Sequence, residues 1–391
     1  MSISKTAPSI VSGLPGYSGP FECAVAKTQR NLPALAQNPA SWAYHRNGNY
    51  SDLNEGFFDI GNWTTSFFTG MAVIATLHTG DPRFGKALQP LDPWYQKKIG
   101  THAADTMHDL GFLYSLYAVA LYKVTQDPHH RQTALRAADQ LAARFIAGGN
   151  YIRAWGRMDE SGTDYDGVAI IDSLMNLPLL YWASAETGNP HYRDIAVKHA
   201  DTTLELFLRP DGSVFHAYRF DPQSNNPVGG ENYCGRSIDS HWARGTAWAI
   251  YGFSLSHRHT GDSRYLEASL KLADHFVARL DDEVVPVWDF SLAPGEPPLR
   301  DSSAAAIAAC GIQELALQGE APPSLCSAKD AMLAKLCSPD YFDPSPEVAG
   351  LIRNGQVGDG IGRAQSVYTS WGDYFFMEAL AREIGIEITW W

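Results

Sequence analysis

The sequence lacks any organised cysteine pattern. Its five cysteines, Cys23, Cys234, Cys310, Cys326 and Cys337, are odd in number and irregularly spaced. There is no Cys-x-x-Cys pair and no zinc-ligand spacing, which excludes a disulfide scaffold or a zinc-stapled fold. Free thiols fit a reducing compartment, so the expected location is cytoplasmic. Cationic residues are also scarce: 30 Lys and Arg against 43 Asp and Glu leave a net charge of -13. A nucleic-acid binder normally carries a basic face, so nucleic acid is not an expected partner. No apolar run approaches the roughly 20 residues that span a bilayer. The opening MSISKTAPSIVSGLPGYSG lacks the charged and apolar regions of a signal peptide. A membrane is therefore not an expected partner either. There is no P-loop, no GxGxxG after a strand, no HExxH and no GxSxG. Nothing in the chain calls for a nucleotide, a metal or a flavin, and no cofactor is expected.

What the chain does have is apolar and aromatic mass: 45% apolar residues, 12% aromatics and 11 Trp among 391 residues. No Pro/Ser-rich linker or charge block divides it. Residues 1–19 read as an N-terminal extension, and 20–391 as a single domain. Within it, a run of small and apolar residues recurs six times, each opened by a polar or aromatic group. The openings are Asn62-Trp63, His108-Asp109, Asp172, His241-Trp242, Asp301-Ser302 and Trp371-Gly372-Asp373. Between them recur LHTGDPRF, KVTQDPHH, AETGNPHY and RHTGDSRY, from Leu77, Lys123, Ala185 and Arg258. Each combines a helix stop with a capped helix start. Amphipathic helices follow, the clearest being RQTALRAADQLAARF, RDIAVKHADTTLELF and RYLEASLKLADHFVARL. Buried inner helices thus alternate with outer ones that begin near Pro20, Phe84, His129, His191, Arg264 and Ser324. Six such hairpins without special capping repeats predict an all-α (α/α)6 toroid, with an open solenoid as the alternative. Two connections, Gly148 to Ile171 and Arg209 to Ser240, are long enough to cover one rim. VFHAYRF within the second alternates like a strand.

If the inner-helix starts share that rim, Asp109 and Asp172 face one opening. Paired carboxylates suit acid–base chemistry on sugars. The bland alternative for both is helix N-capping. Asp301 and Asp373 read as plain caps, and Asp159, Glu160, Asp164 and Asp166 as solvated loop residues. Arg244 and Trp248 lie one helical turn apart on an apolar helix. A buried arginine there requires either an internal carboxylate or an anionic ligand. His108 and His216 are individually weak signals; Trp63 and Trp155 fit a core, and the Gly-flanked loop of Trp155 slightly favours a sugar platform there.

The segments NWTTSFFTG, HDLGFLYSL, IIDSLMNLPLLYW, SHWARGTAWAIYGF, DSSAAAIAACG and WGDYFFMEAL, in this order, resemble the unsaturated glucuronyl hydrolases of glycoside hydrolase family 88. They extend from Asn62 to the C-terminal region. The resemblance implies an (α/α)6 fold and removal of a 4,5-unsaturated uronic acid from lyase-generated oligosaccharides, by hydration of the C4=C5 enol ether. It implies Asp172 as general acid/base and Asp109 as the second essential carboxylate. It assigns His108, His216, Arg244 and Trp248 to the pocket, and Trp63 and Trp155 to ring stacking. Cys234-Gly235 stands where the family often has Gln-Gly, and Thr246 replaces a frequent Gln. The loop GRAQSVYTSWGD, around Ser366 and Thr369, lacks the Ser/Lys pattern of members that bind sulfated ends. An unsaturated rhamnogalacturonyl hydrolase of family 105 is the nearest alternative. A sugar 2-epimerase and a non-catalytic sugar-binding protein are more distant ones.

Overall fold

The computed structural model describes residues 16–37, 44–45, 48–50, 56–358 and 367–391. Most of the predicted N-terminal extension, residues 1–15, and Ser366 lie outside them. The described helices are α1 (Ser18–Gln37), α2 (Thr65–Thr79), α3 (Arg83–Lys86), α4 (Asp92–Lys98), α5 (Leu110–Tyr114), α6 (Ala120–Thr125) and α7 (Pro128–Ala142), then α8 (Leu177–Thr187), α9 (Pro190–Leu206), α10 (Ala243–Thr260), α11 (Ser263–Val277), α12 (Ser302–Leu317), α13 (Pro323–Leu336) and α14 (Ser370–Glu383).

The inner helices form a closed ring. In order, α2, α5–α6, α8, α10, α12 and α14 each pack on the next, and α14 returns to α2. Closure excludes the open solenoid. Small residues set the spacing. A Cβ on Gly111 would fall 2.3 Å from Asn176 Cα, so glycine lets α5 touch the turn before α8. The second inner helix is not uniform: a π-turn at Ser115–Val119 joins α5 to α6, and Thr69 Oγ1 lies 3.0 Å from the Leu116 carbonyl.

The four repeated turns have one geometry. Gly80, Gln126, Gly188 and Gly261 each end an inner helix in the left-handed region. Asp127, Asn189 and Asp262 then cap the next helix, accepting from the backbone N–H two residues on. The outer layer departs from expectation at one place. The helix expected near Phe84 is broken into α3, a 3-10 turn (Gln89–Leu91) and α4. Pro90 and Pro93 account for the break, because each removes a backbone donor and fixes φ.

Strands are short and lie mostly in the connections. β1 (Tyr44–His45) pairs with β7 (Tyr368–Thr369), and β2 (Phe145–Ile146) with β3 (Tyr151–Ile152). The two long connections combine: β4 (Val168–Ile170), β5 (Ala217–Phe220) and β6 (Pro227–Glu231) form one antiparallel sheet in that order. VFHAYRF therefore contributes the central strand of a sheet built by both loops. Near the opposite end, Arg382 reaches Glu314 and Glu378. Trp391 Nε1 donates to Glu378 Oε2 at 2.7 Å, and Trp390 Nε1 to the Tyr374 hydroxyl at 2.9 Å. The ring is thus filled at that end, and the inner-helix starts meet at the other.

Candidate active site

His108 and Asp109 lie in the turn that starts α5. Asp109 occupies the N-cap position but makes no capping hydrogen bond. Its Oδ1 accepts from Asn176 Nδ2 at 3.2 Å, and its Oδ2 lies 3.3 Å from His108 Nε2. His108 Nδ1 in turn meets Ser173 Oγ at 2.8 Å. Asp172 sits in a 3-10 turn (Ile171–Met175) and does not cap either. Its Oδ1 is buried with no hydrogen-bond partner among the described residues. N-capping is therefore overturned for both aspartates.

Asn176 ties the two together. Its Nδ2 also approaches the Asp172 carbonyl at 3.2 Å, and its Oδ1 accepts from Phe112 N at 2.7 Å. Asn176 lies in the IIDSLMNLPLLYW segment, but nothing in that segment singles it out. Its only signal in the sequence is the i+4 spacing from Asp172, which puts both on one face of a helical segment.

Burial raises both carboxyls, because removing water disfavours the charged form. Asp172 is pushed up to about 7 by burial, with Arg244 opposing. Asp109 is raised by burial and then by the Asp172 charge; the Asn176 hydrogen bond, Arg144 and Lys98 oppose the rise. The pair therefore holds a proton near neutrality. Hydrogen bonds decide where it sits. Asp109 accepts from an amide donor on Oδ1, which favours its anion. Asp172 Oδ1 faces no donor among the described residues, which favours its neutral acid.

His216 joins the site through the rim sheet. Its carbonyl accepts from Ile171 N at 3.0 Å, next to Asp172. Its Nδ1 accepts from the N–H groups of Tyr233 and Cys234 at 3.0 and 3.1 Å. Burial, with Arg244 adding to it, lowers its pKa to about 3. With Nδ1 accepting, the neutral ring carries its proton on Nε2.

Arg244 takes the first of its two alternatives, an internal carboxylate. Nη1 donates to Asp301 Oδ2 at 2.8 Å and to the Gln356 carbonyl at 2.6 Å, and Nη2 donates to the Val357 carbonyl. Its guanidinium also lies over Trp242 and Trp371. Asp301 is a cap as expected, accepting from Ser303 N and Ala304 N, and is Arg244's counterion as well. Asp373 is not a cap. Thr369 caps α14, whereas Asp373 accepts from Leu351 N and Ile352 N at 2.8 and 3.0 Å. Asp166, expected in solvent, is buried and bridges Arg153 at 2.7 Å.

The tryptophans divide. Trp155 is half-buried, edge-on to Tyr165 and Tyr233. With those tyrosines, Met107 and the Ile60–Gly61 turn it lines a cavity of about 330 Å³. Trp63 is half-buried and stacks on Trp371, with ring centroids 4.9 Å apart. Trp248 is fully buried against Phe112 and Phe375. Among the described residues, no group of three or more His, Cys, Asp or Glu is arranged to hold a metal.

Residues 36–340 match the model of Glycosyl Hydrolase Family 88. The chain is 37% identical over 338 residues to an unsaturated glucuronyl hydrolase of Bacillus sp. strain GL1, covering 85% of this chain and 89% of that protein. It is 35% identical to an unsaturated chondroitin disaccharide hydrolase of Streptococcus pyogenes serotype M1, covering 85% and 83%. The solved structure of the Bacillus sp. GL1 enzyme, described as responsible for glycosaminoglycan degradation, superimposes with a TM-score of 0.85 over 94% of this chain and 96% of that one. The chain belongs to glycoside hydrolase family 88 and is a hydrolase of unsaturated uronic-acid oligosaccharides.

Proposed function

We propose that Asp172 protonates C4 of a terminal 4,5-unsaturated uronic acid and that Asp109, held as an anion, keeps that proton available. The observation that carries this reading is the contrast between two carboxyls: one accepting from Asn176, the other with an unpartnered buried oxygen and a pKa near neutrality. A general acid works best with a pKa near the operating pH. Proton transfer to C4 leaves positive charge shared by C5 and the ring oxygen. Water adds at C5 and gives its proton to the Asp172 carboxylate, which restores the acid. The resulting hemiketal opens between C5 and the ring oxygen. The hemiacetal left at C1 then expels the remaining sugar. One water is consumed and no redox step occurs.

His216 supplies a fixed neutral donor through Nε2. Arg244 is committed to Asp301 and sets a positive potential beside Asp172. Trp155 and Trp63 offer ring faces to the sugars, while Trp248 packs against Phe112. Residues 20–391 act as one catalytic domain. A cytoplasmic location is supported by five cysteines that are all free, and no described helix is long and apolar enough to cross a membrane.

The test is loss of the ultraviolet absorbance of the conjugated C4=C5 bond, using lyase-generated disaccharides from chondroitin, hyaluronan, heparin and pectin. Wild type should bleach the uronic substrates and Asp172→Asn should not. Wild-type turnover by Asp172→Asn would overturn the assignment of the acid. Bleaching confined to pectin-derived fragments would instead favour the rhamnogalacturonyl reading.

A further inference from the structure

Arg144 stands just beyond the end of α7, in the last turn of the RQTALRAADQLAARF segment, and is 1% exposed. A buried guanidinium is normally balanced by a carboxylate. Arg144 forms no ion pair with any described residue; its donors go to backbone carbonyls. Nε donates to Arg153 O at 2.8 Å and Nη1 to Thr106 O at 2.7 Å. Nη2 lies 3.2, 3.1 and 2.9 Å from the carbonyls of Ala154, Trp155 and Gly156.

Those five carbonyls belong to two segments that both enter the site. Thr106 lies two residues before His108 and three before Asp109. Residues 153–156 carry Trp155. The segments are also joined directly, because His108 N donates to Ala154 O at 2.9 Å. Ala154 N donates to Val168 O at 2.8 Å, at the start of the strand that leads to Asp172. One side chain thus sits at the junction of the chain segments that bear Asp109, Trp155 and Asp172.

We propose that Arg144 is a positioning residue for the hydrolysis: its fork fixes the Thr106–Asp109 turn against the Trp155 loop, and its unpaired charge favours the Asp109 anion against the burial that opposes it. This rests on the roles proposed above for Asp172 and Asp109. The fork matters because a planar guanidinium can bond several carbonyls in fixed directions, which an ammonium cannot. The charge matters because the groups acting on Asp109 are few. Burial and then Asp172 disfavour its anion; the Asn176 hydrogen bond, Arg144 and Lys98 favour it. His108 is held neutral by burial, and Arg144 adds to that effect. Lys98 Nζ is engaged by the Phe57 and Asp59 carbonyls, away from the 106–109 turn.

The experiment is full-length wild type beside Arg144→Lys, Arg144→Gln and Asp172→Asn, with kcat and KM followed across pH on unsaturated chondroitin disaccharide. Arg144→Lys keeps the charge and loses the fork. Its kcat should fall about 10- to 100-fold, the scale of a small misplacement of reacting groups. Its KM and the pH at which activity declines should stay near wild type. Arg144→Gln also loses the charge. The proton then moves toward Asp109: the kcat plateau should fall further, and the alkaline decline should begin at higher pH, because the pair holds its proton more tightly. Wild-type kcat in Arg144→Lys would overturn the proposal. So would loss of cooperative thermal unfolding in that variant, which would make Arg144 a residue of the fold rather than of the site. An unmoved alkaline limb in Arg144→Gln would overturn its electrostatic half. Asp172→Asn separates the two readings: turnover by that variant overturns the acid assignment, whereas an inactive Asp172→Asn beside a wild-type-like Arg144→Lys overturns only the role of Arg144.

Discussion

At the turn-bearing end of the ring, Asp127, Asn189 and Asp262 each accept a hydrogen bond from the backbone two residues on. At the other end, Asp109 and Asp172 also lie where inner helices begin, yet neither caps one. The chemistry diverges with the hydrogen bonding. Asp262 is held below the usual carboxylate range by the Arg264 side chain and then by the Arg264 N–H. Asp81 is lowered in the same way by Arg83. Asp109 and Asp172 are raised by burial. An aspartate at a helix start is thus a cap where the first-turn amides reach it. It becomes a proton carrier where it is turned away from them and burial raises its carboxyl.

The sharpest way to break this comparison is Asp172→Asn. We predict a loss of about 10²- to 10⁴-fold in kcat, the usual worth of a positioned acid, with substrate still bound; a direct binding titration with the inactive variant checks the second part. Next is Asn176→Leu. It removes the donor on Asp109 and strands Phe112 N, and should cost about 10-fold or more in kcat. Full activity there would mean that the Asn176 bond does not hold the Asp109 anion in place.

The pH profile tests the same point in the unaltered enzyme. Asp172 is active as the neutral acid and its pKa is about 7. Activity should therefore decline as pH rises through about 7. An activity that climbs across that window would show the carboxylate, not the acid, to be the working form.

Stability should run the other way. A carboxyl whose folded pKa lies above its unfolded value of about 3.9 binds more protons in the folded state between those values. Its contribution is full at low pH and is lost as pH rises from about 4 to about 7. Asp172→Asn removes that ionisation and should raise Tm by a few degrees above neutrality, with little change at pH about 4. The smallest effect is expected at the far end. Asp262→Ala removes a cap and should cost about 1 kcal/mol of stability, leaving kcat unchanged. Paired thermal melts and rate assays on that variant check both halves.

Much of this was legible in one dimension. The repeated TGDPRF-like turns announce helix stops and starts, and the structure bears them out at Gly80, Gln126, Gly188 and Gly261. The apolar runs announced an inner layer. The broken outer segment was signalled too, since Pro90 and Pro93 follow Phe84 closely. Other features had no local signature. Arg244 could have met a ligand or a carboxylate; only the neighbouring inner helix supplies Asp301. Asp373 looked like Asp301 at a helix start, but the Leu351–Ile352 segment takes its oxygens. Asp166 looked solvated until Arg153 covered it.

The sequence by itself determined the alternation of buried and amphipathic helices, their turns, and the family whose motifs the chain carries. These depend on propensity, periodicity and capping, which act over a few residues. Tertiary structure alone decided which aspartates stay unsatisfied, which face Arg244 or Arg144, and where the proton of the Asp109–Asp172 pair rests. A carboxyl's ionisation depends on the water removed from it and on donors supplied by segments far away in the chain, and neither exists until the ring has closed.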